Sequence, residues 1–193
     1  MKNQAIRQIL YIGLIGAFAL GLWLYNNELY GDVFRFMLIP LGIIWLIQKQ
    51  FVPLRALLVS CVIIFGIAFG LKLAFNYAAH TFMDSAWVME FVEIARRPIN
   101  GEFKGFPSGH TASAFIAAAL AWRYLGVRWG VYLIVLAGFV GYSRILNLWH
   151  TPLQVCAGAI LGFFGTLLVL KVVNKYLDKK SDIIRPFRFH LES

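Results

Sequence analysis

The chain is poor in charge, poorer in acid, and nearly without cysteine. Of its 193 residues only 14% are charged, against 60% hydrophobic. A soluble domain averages about 25% charged and about 45–50% apolar. So little charge excludes an ordinary soluble domain and points to the membrane, and the length suits a single domain, 1–193. Acidic residues number 9 against 18 Lys and Arg, for a net charge of +9. Such a balance suits nucleic acid or anionic lipid. No RNA- or DNA-binding motif is present, and most basic residues lie in short loops and the C-terminal tail, so nucleic acid is set aside as a partner and the bilayer is kept. Cys61 and Cys156 both fall inside apolar runs and read as small core hydrophobes, silent on redox compartment. Also missing is a cleavage site. The first apolar run starts near Ile9 behind Lys2 and Arg7, as a signal peptide would, but it continues to about Tyr25 with no small-residue site after it. It is expected to remain as a first span.

What the chain does have is six hydrophobic segments, at about 8–26, 33–48, 54–78, 108–125, 128–147 and 151–174. About 20 apolar residues cross a bilayer. The expectation is therefore an all-α integral membrane protein with six transmembrane helices. The second segment is short, carries Arg35 near its start and holds Pro40, where a kink is expected. No internal repeat or low-complexity segment stands out.

Basic residues set the orientation. Lys2 and Arg7, Lys49 and Arg55, Arg123 and Arg128, and the tail with Lys171, Lys175, Lys179, Lys180, Arg185 and Arg188 share one side if six spans alternate. That side is expected to be cytoplasmic, with a basic cytoplasmic tail from about 175 lying against anionic headgroups. The other side holds NNELYGD (26–32), a long loop of about 79–107 and the corner RILNLWHT (144–151). In a bacterial inner membrane it would face the periplasm.

Three polar clusters lie on this second side: ARRP (95–98), FPSGH (106–110) and SRILNLWH (143–150). Arg97 and Arg144 bring forked, permanently charged donors that match phosphate oxygens. Ser108 and the backbone N–H groups around Gly109 open a helix, whose N-terminus attracts anions. Gly109 lets the backbone come close to a ligand. His110 and His150 add a nucleophile and an acid for a leaving oxygen. The set makes a cradle for a tetrahedral oxyanion at the membrane surface. No His/Asp/Glu cluster suited to a metal accompanies it.

Arg97-Pro98, Pro107-Ser108-Gly109-His110 and Ser143-Arg144 with His150 resemble the three-part signature of type 2 phosphatidic acid phosphatases, the PAP2 superfamily. The resemblance implies a PAP2-type helical bundle and a metal-independent lipid phosphatase without cofactor. By position, it implies that His150 attacks phosphorus and forms a phosphohistidine, and that His110 protonates the leaving oxygen. Arg97, Ser108, Gly109 and Arg144 would hold the other oxygens.

Two positions depart from the family's pattern. Where the family has a Lys seven residues before the Arg of RP, this chain has Glu90. Lys72, followed four residues later by Asn76, resembles a subset with a stretched first motif that includes bacterial lipid A phosphatases, and Gly101 with Phe103 fits the same subset. Lys72 is therefore the expected phosphate-binding lysine, with Lys104 as rival. Four residues after His150 the family has Asp, and this chain has Gln154. Its oxygen suits the Nδ1–H of His150 but brings no charge to an imidazolium, so Gln154→Asp is expected to raise turnover. The substrate implied is a membrane lipid phosphate, lipid A-like first. Undecaprenyl diphosphate comes next, then phosphatidic acid or phosphatidylglycerophosphate. A non-catalytic anion-binding membrane protein is the rival of a different class. It is disfavoured because the polar residues gather at one surface and not at mid-membrane.

Overall fold

Every element in the computed structural model is helical, over the described residues 2–173, with the side chains of 2–5 and 7 left aside. The basic tail expected from about 175 lies outside the described residues. The helices are α1 (Lys2–Tyr25), α2 (Asn27–Phe34), α3 (Leu38–Ile47), α4 (Phe51–Thr81), α5 (Ala86–Val92), α6 (Gly109–Tyr124), α7 (Val127–Leu146) and α8 (Pro152–Ile160). After α8 the chain passes through a π-helical turn, Leu161–Gly165, and continues as α-helix to 173.

Among the described residues five stretches are long and apolar enough to cross a membrane: Gln8–Tyr25, Asn27–Ile47, Phe51–Thr81, Val127–Leu146 and Pro152–Val173. Their outward faces carry bare apolar side chains such as Leu24, Ile47 and Val62, an arrangement water penalises and lipid does not. The remaining expected span, 108–125, is α6. It has 16 residues, about 24 Å at 1.5 Å per residue, against roughly 30 Å of hydrocarbon.

What α6 lacks in length it makes up in burial. Thr111, Ala112, Ala114 and everything from Ile116 to Ala121 are fully buried, and α3, α4, α7 and α8 all pack on it. Its alanines let neighbours come close, as helix pairs in lipid require when no water is there to drive association. α8 uses the same device: a Cβ on Gly158 would lie 2.5 Å from the Ser108 carbonyl oxygen, and one on Gly162 2.4 Å from that of Ala112. Any larger residue at either position would lever α8 off α6.

The second span differs from its sequence-derived bounds. It begins at Asn27, not 33, because Asn26 caps α2 through hydrogen bonds from Glu28 N and Leu29 N, both 2.9 Å. The kink expected at Pro40 falls just before it, at residues 35–37 between α2 and α3. Pro40 has no N–H to give and its ring would crowd the Phe36 carbonyl, so that turn opens. The long loop between α4 and α6 is also folded. α5 and the 3₁₀ turn Glu93–Ala95 bury Val88, Val92 and Ala95 against Phe75 and Ala79 near the end of α4.

Candidate active site

The corner between α7 and α8 is fixed from both sides. Trp149 N and His150 N both donate to the Arg144 carbonyl, at 3.0 and 3.1 Å. Asn147 Nδ2 donates to Asn27 Oδ1 and to Ser143 O, both 2.8 Å. Thr151 caps α8 with Pro152 behind it, and Thr151 and Gln154 form a reciprocal capping box. The pattern T-P-L-Q signals that cap in sequence. His150 therefore hangs on a rigid support with only 5% of its surface exposed. Its Nδ1 meets Gln154 Oε1 at 2.9 Å. Burial pushes its pKa down to about 3, against the pull of Gln154 and helped by the positive charges of Lys72 and Arg97. The imidazole is neutral at neutral pH.

Arg97 comes from the folded outer loop. Its N–H donates to the Glu102 carbonyl at 2.9 Å, its guanidinium lies 3.6 Å from the Glu102 carboxylate, and it sits 6.0 Å above the Trp149 ring. Its Nε is buried without a partner among the described residues. Arg96 points elsewhere, paired with Glu93 at 3.3 Å. Lys72 is half-buried, and its Nζ donates to the Lys104 carbonyl at 2.7 Å. Lys104 itself is exposed.

Ser108 begins α6 in extended conformation. Its N–H donates to the Gln154 carbonyl at 2.9 Å and its Oγ accepts from Thr111 at 3.0 Å. Beside it, a Cβ on Gly109 would meet nothing within 4 Å, while Ser108, Thr111 and Ala112 around it are fully buried.

A fourth segment joins these, and motif reading missed it. α2, most of it expected as the outer stretch 26–32, lays Glu28 and Asp32 across the site, and Arg35 follows directly behind it. Arg144, nearly fully buried, donates to Asp32 Oδ1 at 3.3 Å and to the Glu28 carbonyl at 3.0 Å. Trp149 Nε1 donates to Glu28 Oε1 at 2.7 Å. His110 Nε2 lies 3.1 Å from Asp32 Oδ1 and also against the Arg35 guanidinium. One local sign was present, the capping Asn26. The partners themselves lie 75–121 residues away.

Arg97, His110 and Arg144 line a cavity of about 290 Å³ together with Glu28, Asp32, Arg35 and Trp149, while His150, Lys72, Ser108 and Gly109 are not among its lining residues. Arg97 also lines a second of about 490 Å³, with Glu93, Arg96, Pro98, Gly101 and Thr151. Among the described residues no three His, Cys, Asp or Glu converge as a metal site would require. The groups brought together are a neutral imidazole, a second imidazole between a carboxylate and a guanidinium, three cations and a helix N-terminus. That set can bind a tetrahedral oxyanion and exchange a proton beside it.

Comparison with known proteins gives a family and a fold. The model of the PAP2 superfamily matches residues 54–178. Lipid A 4'-phosphatase from Helicobacter pylori is 34% identical over 139 residues, which cover 72% of this chain and 67% of that protein. The crystal structure of Aquifex aeolicus LpxE aligns with a TM-score of 0.57 at 24% identity, covering 77% of this chain and 92% of the other. α2, with Glu28, Asp32 and Arg35, precedes the residues the family model matches.

Proposed function

The chain belongs to the PAP2 superfamily, and from that premise we propose a membrane lipid phosphatase that works through a phosphohistidine on His150. The observation that carries this reading is the state of His150: neutral, nearly buried, its Nδ1 committed to Gln154, with Lys72 and Arg97 beside it. Its Nε2 lone pair is left for phosphorus. In the first step the N–P bond forms and the P–O bond to the lipid breaks. The leaving oxygen takes a proton from His110. In the second, His110 removes a proton from water, the new hydroxide attacks phosphorus, and the N–P bond breaks to return His150. Lys72, Arg97, Arg144, Ser108 and the Gly109 N–H hold the equatorial oxygens, where charge develops.

The substrate we favour is a phosphomonoester or diphosphate on a lipid A-like glycolipid. The Helicobacter pylori relative, named a lipid A 4'-phosphatase, supports that choice. Undecaprenyl diphosphate and phosphatidic acid or phosphatidylglycerophosphate follow. Transfer to a lipid alcohol instead of water uses the same intermediate. In this reading residues 1–193 form one domain, α6 completes a set of six spans in the bacterial inner membrane, and the site opens to the periplasm.

The test is phosphate release by purified protein from lipid A, undecaprenyl diphosphate and phosphatidic acid. Wild type is expected to act on at least one, in the presence of EDTA, and to be blocked by vanadate. His150→Ala is expected to lose all turnover. Activity that vanishes in EDTA and returns with Mg²⁺ rules the mechanism out, as does an active His150→Ala.

A further inference from the structure

One residue touches all three motif segments, two of them through its side chain and the third through its backbone carbonyl. Gln154 is fully buried. Its Nε2 donates to the carbonyl oxygens of Ile94 and Arg96, each at 2.9 Å. Its Oε1 accepts from His150 Nδ1 at 2.9 Å and from Thr151 N–H at 3.2 Å. Its backbone carbonyl accepts from Ser108 N–H at 2.9 Å. We infer that Gln154 is the positioning residue that assembles the site, its amide clamping the Arg96–Arg97 loop and the nucleophile in one register, which a carboxylate at this position cannot do. The inference rests on His150 as nucleophile.

The argument is a count of donors and acceptors. A side-chain amide has two N–H bonds and one carbonyl oxygen. Here both N–H bonds face carbonyls, and the oxygen faces two N–H groups. Turning the amide over would set oxygen against two carbonyl oxygens, so one orientation alone satisfies every partner. The tautomer of His150 follows: Nδ1 carries the proton and Nε2 the lone pair. A capping box explains the Thr151 bond. It does not explain His150, nor the two carbonyls about 60 residues upstream. A carboxylate has no donor, and its second oxygen would stand unpaired before the Ile94 and Arg96 carbonyls in a buried place. Gly105 closes the clamp. A Cβ there would fall 2.6 Å from both Gln154 Nε2 and Oε1, so the backbone leading to PSGH lies directly on the amide. The expectation that an acid at 154 raises turnover is thereby reversed.

The experiment uses the full chain in detergent, with phosphate release from a short-chain phosphatidic acid and tryptic cleavage after Arg96 as independent readouts. Gln154→Glu, the size-matched acid, and Gln154→Asp are each expected to lower kcat/KM about a hundredfold, the effect of one buried polar group left unpaired. Both should speed cleavage after Arg96. In the Glu variant the acid limb of kcat moves to higher pH, because a carboxylate favours the imidazolium while Lys72, Arg97 and His110 still face the ring. A merely structural defect would slow turnover equally at all pH. Combined with Arg97→Ala, Gln154→Glu should cost less than the two single losses together, since both act through one loop. An Asp or Glu variant as active as wild type overturns the clamp. So does slowed turnover with cleavage after Arg96 unchanged. His150→Ala separates the two readings: it is expected to abolish turnover and leave cleavage at the wild-type rate. If it stays active, the nucleophile assignment fails, while the cleavage rates of the Gln154 variants still decide whether the loop is clamped.

Discussion

Around His150 the hydrogen-bond partners are neutral: the Gln154 amide holds the ring and the Arg144 carbonyl holds the backbone. Around His110 they are ions. Asp32 and Arg35 both meet the same Nε2, Arg144 reaches the same carboxylate oxygen, and 24% of the side chain is exposed. The contrast follows the two proposed tasks. A nucleophile has to present a lone pair at all times, so burial and an uncharged acceptor that fixes the tautomer suit it. A group that gives a proton and takes one back in each cycle needs a donor and an acceptor at the same atom. Arg35 serves the unprotonated Nε2 and Asp32 the protonated one.

Breaking the charged half should cost turnover heavily. Asp32→Asn keeps the shape and removes the ion, so His110 loses the partner that favours its proton. We expect kcat to fall about a hundredfold, within the range a positioned acid–base contributes, and less in combination with a substrate whose leaving group needs no proton, such as a nitrophenyl phosphate. An equal loss with both substrates would mean that Asp32 serves Arg144 and not His110.

The neutral half can be examined through pH and stability. The pKa of His150 is lowered from 6.5 to about 3. Between those values the unfolded chain binds a proton that the folded chain refuses, so this residue makes stability fall as pH falls through that window. The melting temperature of wild type should decline from pH 6.5 towards 3, and His150→Gln should flatten part of that decline. If the two slopes coincide, the ring is not held neutral by its surroundings.

The smallest effect belongs to a residue outside both halves. Arg128 lies in the first turn of α7, at the end of the bundle away from the site. Arg128→Ala should leave kcat/KM within about twofold, as surface substitutions usually do. A large loss would show that charge at the far end reaches the chemistry, and the contrast between the two histidines would no longer be local.

Much of the helical fold was legible because apolar runs and punctuating residues are local signals. Pro40 marked the break before α3, and the three motifs marked the segments that the fold gathers. α2 was hidden because Asn27, Glu28 and Asp32 look like a polar loop when their neighbours in sequence are the only context. Their partners, Asn147, Trp149, Arg144 and His110, come from α6, α7 and the corner beyond. The role of Gln154 was half visible. Its spacing to His150 and its place in a capping box can be read along one helix. The two carbonyls that make it an amide and not an acid belong to a loop whose path no local pattern gives.

The brevity of α6 bears on how the protein enters its membrane. Phe51–Thr81 has length and apolarity enough to cross a membrane. The 16 residues of α6 do not: they are rich in alanine, and their surface is spent on other helices and not on lipid. The helix that Ser108 caps, and that carries Gly109 and His110, therefore depends on its helical neighbours for its place in the bilayer. The segment proposed to bear the oxyanion cradle is thus held in place by protein and not by lipid alone.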